Sequence, residues 1–233
     1  MSSPGPCVVL EGAGIVKSYP SGDEIIRVLR GASLALGGAE ILAIVGPSGV
    51  GKSTLLHILG ALDRPDEGRV TVDGQDVFAL GDSQIARLRN SKFGFVFQFH
   101  HLLPELTALE NVMMPCLVAG LDREQSRSRA EETLVREVGL VGRLHHRPRE
   151  LSGGEQQRVA VARALVMRPT VVLADEPSGN LDPESSLALH KLIWDLRDSR
   201  GQSFIIVTHN MDLASDADRV LKLFDGTLEQ IKI

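Results

Sequence analysis

Apolar positions follow two rhythms along this chain. Val8-Val9-Leu10 and Gly14-Ile15-Val16 are β-rich, and Ser33-Leu34-Ala35-Leu36 alternates. Arg69-Val70-Thr71-Val72 runs into Asp73-Gly74, a hairpin-turn signal. These stretches predict a β-rich layer in the first third. Ile41-Leu42-Ala43-Ile44-Val45 is unbroken rather than alternating, as in a strand buried on both faces. It feeds a glycine-rich loop, and a helix is expected from about Lys52 to Gly60, with Gly60 as the glycine just past its end.

From about residue 107 to 168 the spacing turns helical. Residues 122–138 are charged, with apolar positions three to four apart toward the end. Arg147-Pro148 breaks the pattern. Ser152-Gly153-Gly154 opens another helix that carries Val159, Ala162, Leu165 and Val166 on a helical repeat. The last third returns to α/β alternation, with strands at 171–174, 203–207 and 219–224 and a helix at 187–196. Asp225-Gly226 turns the chain into a final strand at 228–231. The pattern is that of one α/β domain over residues 1–233. Its first part carries an antiparallel β subdomain, and a helical subdomain of roughly residues 100–168 is inserted in the sheet domain.

Composition narrows the class. The chain has 233 residues, 43% apolar and 24% charged, which suits a folded globular protein. Its formal net charge of −5 argues against bulk binding to nucleic acid or anionic lipid. Cys7 and Cys116 form no disulfide framework, so a reducing compartment fits. The apolar runs fall far short of the ~18–20 residues that span a bilayer. No basic stretch followed by a long apolar one opens the chain. A soluble, cytoplasmic protein is expected, with docking onto a membrane protein left open.

Three segments carry chemistry. Gly46-Pro47-Ser48-Gly49-Val50-Gly51-Lys52-Ser53 fits the phosphate-cradling loop. Its glycines let backbone N–H groups ring an anion, and the following helix aims its positive end at the same place. Lys52 would reach the β- and γ-phosphates, and Ser53 would hold Mg²⁺. The strand at 171–174 ends in Asp175-Glu176, and alternation would send these two acids to opposite faces. Asp175 suits a metal role, and Glu176 a water-orienting or proton-accepting one. Leu151-Ser152-Gly153-Gly154-Glu155 is a capped helix start with exposed N–H groups, a second anion site about a hundred positions later.

Together these segments resemble the nucleotide-binding subunits of ABC transporters over nearly the whole chain. The resemblance runs through the phosphate loop from Gly46 to Ser53 with Thr54 beside it, and through Gln98 at the Q-loop. It continues in the signature sequence from Leu151, the strand ending at Glu176, Ser178-Gly179-Asn180-Leu181-Asp182 at the D-loop and His209 at the switch position. It implies a P-loop NTPase (RecA-like) core of the ABC ATPase kind, with ATP and Mg²⁺ as cofactors. It also implies adenine stacking on Tyr19, Gln98 near Mg²⁺ and the attacking water, and His209 at the γ-phosphate. The partner implied is a second copy, arranged head to tail, whose Ser152-Gly153-Gly154 and D-loop Asp182 close each site. Two departures, Ser178 for threonine and Asn210 for aspartate, fall away from the chemistry.

Residues 97–112, Phe97-Gln98-Phe99-His100-His101-Leu102-Leu103-Pro104 and onward, resemble the lipoprotein-releasing branch of that family. Macrolide-exporter and cell-division ATPases share part of this outline and remain alternatives. The resemblance implies a peripheral position on the cytoplasmic face of a bacterial inner membrane. Integral membrane subunits would dock on the stretch from residue 99 to 115, which opens on Phe99 and ends on Pro115. That stretch is rich in Leu102, Leu103, Leu106, Leu109, Val112, Met113 and Met114. His100-His101 reads as part of that surface without a ligand role. A nucleic-acid-acting ATPase is the rival reading; no long heptad run and no second motif set supports it.

Overall fold

The computed structural model describes residues 7–22 and 24–232; the expectation about the first six residues lies outside them. A long antiparallel hairpin comes first, β1 (Val8–Ser21) against β2 (Glu24–Gly37). β3 (Ile41–Val45) is buried at every position and runs through the glycine loop into α1 (Lys52–Leu59). β4 (Glu67–Val72) returns to pair with β1, and the Asp73-Gly74 turn leads to the short β5 (Gln75–Asp76). α2 (Asp82–Lys92) and β6 (Phe93–Phe97) follow. α2 is faint in the hydrophobic pattern because it buries only Ile85 and Leu88.

The helical stretch contains α3 (Ala108–Val118), α4 (Arg123–Glu132) with a π turn at Thr133–Glu137, and α5 (Gly153–Leu165). Thr107 caps α3 through a reciprocal pair with Glu110, and Asp122 caps α4. Then come β7 (Val171–Asp175), α6 (Pro183–Arg200), β8 (Ser203–Thr208), α7 (Met211–Ser215), β9 (Arg219–Phe224) and β10 (Thr227–Ile231).

Two sheets result. The antiparallel one has the order β2-β1-β4-β5, and the larger one β10-β9-β3-β8-β7-β6. Every pair in the larger sheet is parallel except the β9–β10 edge hairpin. Both of its faces are covered, which explains strands without polar alternation. Val171, Leu173, Ile205 and Val207 pack with Leu55, Leu56 and Leu59 of α1 and with Leu10 and Leu29 of the antiparallel sheet. Their neighbours Val172, Ala174, Phe204 and Ile206 join Val161 of α5, Leu189 and Ile193 of α6 and Val112 of α3. Each such aliphatic side chain contributes about 1.5–3 kcal/mol when fully buried.

Gly60 differs from its expected role. Its φ of −87° is right-handed, and Ala61 takes the left-handed position at φ 57°. Close packing is the reason for glycine here: a Cβ would lie 2.5 Å from the Phe95 ring and 2.6 Å from Leu173 Cδ1.

Candidate functional site

The register of the parallel strands builds the site. Val45 pairs with Thr208, Asp175 with Val207, and Phe97 with Asp175. The carboxyl ends of β3, β8, β7 and β6 therefore lie side by side, where ligands bind in open α/β sheets. The glycine loop leaves β3 there, Glu176 leaves β7, His209 leaves β8 and Gln98 leaves β6. Tyr19, Ser48, Gly49, Gly51, Lys52, Ser53, Thr54, Gln98, Asp175, Glu176 and His209 line one cavity of about 650 Å³.

Within the loop, Gly49 (φ 77°) and Gly51 (φ 105°) hold left-handed backbone that turns the chain into α1. Gly46 serves close approach: a Cβ there would lie 2.7 Å from the Leu223 carbonyl oxygen. Lys52 is almost fully buried, and its ammonium donates to the carbonyls of Gly46 at 2.8 Å and Pro47 at 2.9 Å. An ammonium has three donors, so one remains for an anion. Val50 packs partly against the core instead of lining the cavity.

The two acids share this cavity, contrary to the opposite faces expected from alternation. β7 ends at Asp175, and Glu176 bends out of the strand at φ 46°. Such backbone in a non-glycine residue costs on the order of 1–3 kcal/mol and persists where surrounding bonds enforce it. Here the Glu176 N–H donates to the Val207 carbonyl at 2.9 Å. Its carboxylate lies 3.1 Å from the Thr208 hydroxyl and 2.8 Å from His209 Nδ1. Thr208 also accepts from the Asn210 N–H at 2.9 Å, and the Asn210 side chain caps α7. Asn210 therefore has a structural task.

Gln98 donates through Nε2 to Asn180 Oδ1 at 3.1 Å, and Asn180 Nδ2 donates to the Gln98 carbonyl at 3.2 Å. Tyr19 donates its hydroxyl to Asp63 at 2.6 Å. Burial first, then the neighbouring Asp63 carboxylate, pushes its phenol up to about 12.

The signature residues lie elsewhere in the same copy. Ser152 caps α5 in a reciprocal pair with Glu155, at 3.2 Å and 2.8 Å. The Arg143 guanidinium, 2.7 Å away, and the Ser152 N–H hold the Glu155 carboxyl below its usual range. Ser152 and Gly154 open onto a separate cavity of about 590 Å³ that also takes in Arg158 and Ser185. Asp182 lines neither cavity and caps α6 through the Ser185 N–H at 2.9 Å. Ser178 lies 3.0 Å from His190 Nε2.

Sequence reasoning missed Val28, Phe97, Phe99 and His101 as cavity residues and Thr208 as a Glu176 partner. His101 has φ 47° and sets its ring edge against Phe97 at 5.5 Å. His100 Nε2 lies 3.2 Å from the Gly153 carbonyl, and burial lowers its pKa. Closeness to Gln98 could have signalled Phe97, Phe99 and His101, and closeness to His209 could have signalled Thr208, whereas nothing along the chain marks Val28.

A phosphate loop, a carboxylate pair and a histidine converging at the carboxyl edge of a parallel sheet define a P-loop nucleotide-binding cassette. The chain belongs to the ABC transporter family, whose model matches residues 29–179. It is 55% identical to the lipoprotein-releasing system ATP-binding protein LolD of Geobacter metallireducens over 218 residues, covering 94% of this chain and 96% of the relative. LolD of Hahella chejuensis is 51% identical over 231 residues, covering 99% and 98%. Among solved structures, the dimeric cassette MJ0796 in a post-hydrolysis state bound to ADP and Pi matches with a TM-score of 0.87 and 38% identity, covering 96% of this chain and 98% of that one.

Proposed function

We propose that the chain binds and hydrolyses ATP as a head-to-tail pair, and that this work powers release of lipoproteins from a bacterial inner membrane through integral membrane subunits. The observation that carries the ATPase reading is the convergence of Lys52, Gln98, Asp175, Glu176 and His209 on one cavity. Lipoprotein release rests on identity of about half the residues to LolD proteins over nearly the full length of both chains.

In this reading the loop N–H groups and Lys52 hold the triphosphate, with positioning and charge neutralisation as the main catalytic terms. Glu176 orients a water and accepts its proton, while Thr208 and His209 fix the carboxylate. Tyr19 carries the adenine. Ser48, Gly49, Gly51, Ser53 and Thr54 line the cradle, with Gly46 and Pro47 holding Lys52 and Val50 anchoring the loop to the core. Ser53, Gln98 and Asp175 offer hard oxygen donors in one cavity. That donor set fits Mg²⁺, which shares its coordination with phosphates and water. Bound there, Mg²⁺ would neutralise phosphate charge. The separation of Ser152, Gly153 and Gly154 from the phosphate loop supports closure by a second copy, with Asp182 at the seam.

The docking stretch needs correction. Leu109, Val112 and Met113 are buried in the core and present no surface, and Leu102 is half-buried against it. Phe99 and Leu103 are exposed at 65% and 47%. Beyond them, Pro115 and Val118 line an apolar groove of about 380 Å³ with Leu62 and Phe95. The membrane subunit seats an apolar helix face in this groove. No described helix is long and apolar enough to cross a membrane. In this reading the chain is held at the membrane peripherally, through such a partner.

The test is reconstitution of the chain with its membrane subunits in liposomes carrying a lipoprotein. ATP-dependent transfer of lipoprotein to a soluble acceptor is expected, and to be lost with Glu176→Gln. ATP hydrolysis without any lipoprotein release would remove the transport assignment while leaving the ATPase.

A further inference from the structure

Tyr19 and the phosphate loop belong to different sheets, so something must set the distance between a base platform and the phosphates. Tyr19 is on β1 of the antiparallel sheet, while the loop leaves β3 of the parallel one. The segment after α1 joins them. Tyr19 Oη donates to Asp63 Oδ2 at 2.6 Å. Lys17 Nζ donates to Asp63 Oδ1 at 2.8 Å and to the Arg64 carbonyl at 2.7 Å. Two residues on, Asp66 Oδ2 accepts from the Ser18 N–H at 2.7 Å, and the Asp66 N–H donates to the Val16 carbonyl at 2.9 Å. Residues 63–66 are thus stitched to β1 at Tyr19 and at Val16, Lys17 and Ser18 just before it, a few residues beyond the helix that carries Lys52 and Ser53.

The same contacts orient the ring. The Lys17 ammonium lies over the Tyr19 ring, 5.1 Å from its centroid. Lys17 is nearly buried, whereas Tyr19 is 38% exposed and lines the nucleotide cavity. One ring face is covered by the ammonium, which leaves the other for a stacking base. A carboxylate accepting from both a phenol and an ammonium makes charge-assisted bonds, roughly twice as strong as neutral ones. The Lys17, Tyr19 and Arg64 donors hold the Asp63 carboxyl below its usual range against the opposing effect of burial.

We infer that Asp63 is a positioning residue for the nucleotide: its carboxylate, shared by the Tyr19 hydroxyl and the Lys17 ammonium, holds the tyrosine ring as a preformed platform for a purine base at a set distance from the phosphate loop. This rests on the nucleotide reading of the cavity. Preorganisation reduces the ordering cost of binding, so its loss falls on affinity and spares the chemical step.

Two measurements test it. Tyr19 is the sole tyrosine, so phenolate absorbance reports it alone. In the folded protein, checked by circular dichroism at each pH, titration is expected near about 12, and Asp63→Asn should move it toward the ordinary value of about 10. Steady-state kinetics should show Asp63→Asn and Tyr19→Phe each raising KM for ATP by about three- to tenfold with little change in kcat. The double variant should match the single ones, because both remove one interaction. Tyr19→Ala with a raised KM beside Asp63→Asn at wild-type KM would overturn the positioning role alone. Tyr19→Ala at wild-type KM would overturn base stacking, and the positioning role with it. A phenol that titrates near 10 in the folded wild type would overturn the Asp63 link directly.

Discussion

His209 Nδ1 lies 2.8 Å from Glu176 Oε1, and the other oxygen of that carboxylate lies 3.1 Å from the Thr208 hydroxyl. To bond a carboxylate, Nδ1 must carry a hydrogen, which in the neutral ring leaves Nε2 as the acceptor. The contact joins the end of β7 to the end of β8. It fixes the glutamate by two neighbours on the adjacent strand, in a backbone conformation that glutamate rarely adopts. Positioning of this kind is what a water-orienting carboxylate requires.

Glu176→Gln keeps the side-chain shape and removes the proton acceptor. Hydrolysis should slow by on the order of 10²–10⁴, the usual worth of a positioned general base, while ATP binding persists. Single-turnover hydrolysis and nucleotide binding on the same preparation check this. Wild-type turnover would reassign the role of Glu176.

Lys52→Ala removes a nearly buried ammonium that also donates to the Gly46 and Pro47 carbonyls. Most ATP binding or hydrolysis should be lost, since charge neutralisation is a main catalytic term in phosphoryl transfer. Thermal melting separates this loss from collapse of the loop.

The separation of the two cavities predicts complementation between copies. Gly153→Asp should abolish activity by placing a negative charge at the start of α5, where the helix dipole favours anions. The nearest atom to an added Cβ there is Leu181 Cδ2 at 3.6 Å, so the variant should fold. Mixing it with Lys52→Ala should restore part of the ATPase activity, because one site of each mixed pair keeps both intact halves. A mixture as inactive as its components would contradict head-to-tail closure.

Val118 is 71% exposed in the apolar groove, and Val112 is buried in the core. Val118→Glu should fold, retain basal ATPase activity and lose copurification with the membrane subunit. Val112→Glu should fail to fold, since a buried unpaired carboxylate costs several kcal/mol. A Val118→Glu protein that still copurifies would move the docking surface elsewhere.

Alkaline stability should carry the signature of Tyr19. Its phenol is raised to about 12 in the folded chain, so the unfolded chain gives up that proton first. The stabilisation is fully present below about pH 10 and is lost as pH rises toward about 12. Denaturant midpoints across that range should fall more steeply for the wild type than for Tyr19→Phe.

What local geometry encodes can be read from residue order alone. Gly46 to Ser53 is legible because a phosphate cradle is built from consecutive backbone N–H groups, and Ser152 with Glu155 because a capping pair spans one helical turn. The two-faced burial of β3, β7 and β8 is legible as short unbroken apolar runs. Whatever depends on strands meeting comes from the folded arrangement. The pairing of Phe97 with Asp175 and of Asp175 with Val207 carries Gln98 and His209 to the same edge as Glu176, although they lie far apart in the chain. The folded arrangement also decides which leucines of residues 99–115 are core. The helical spacing of Leu109 and Val112 shows that they share a face, but whether that face meets β-sheet or solvent depends on packing against α5 and β7. Glu176 shows the same division: strand alternation predicts a side, but the hydrogen bond to Val207 bends the backbone and turns the carboxylate into the cavity with Asp175. Local patterns specify elements because their period is set by the backbone, whereas register and packing join residues whose interaction leaves no period in the chain.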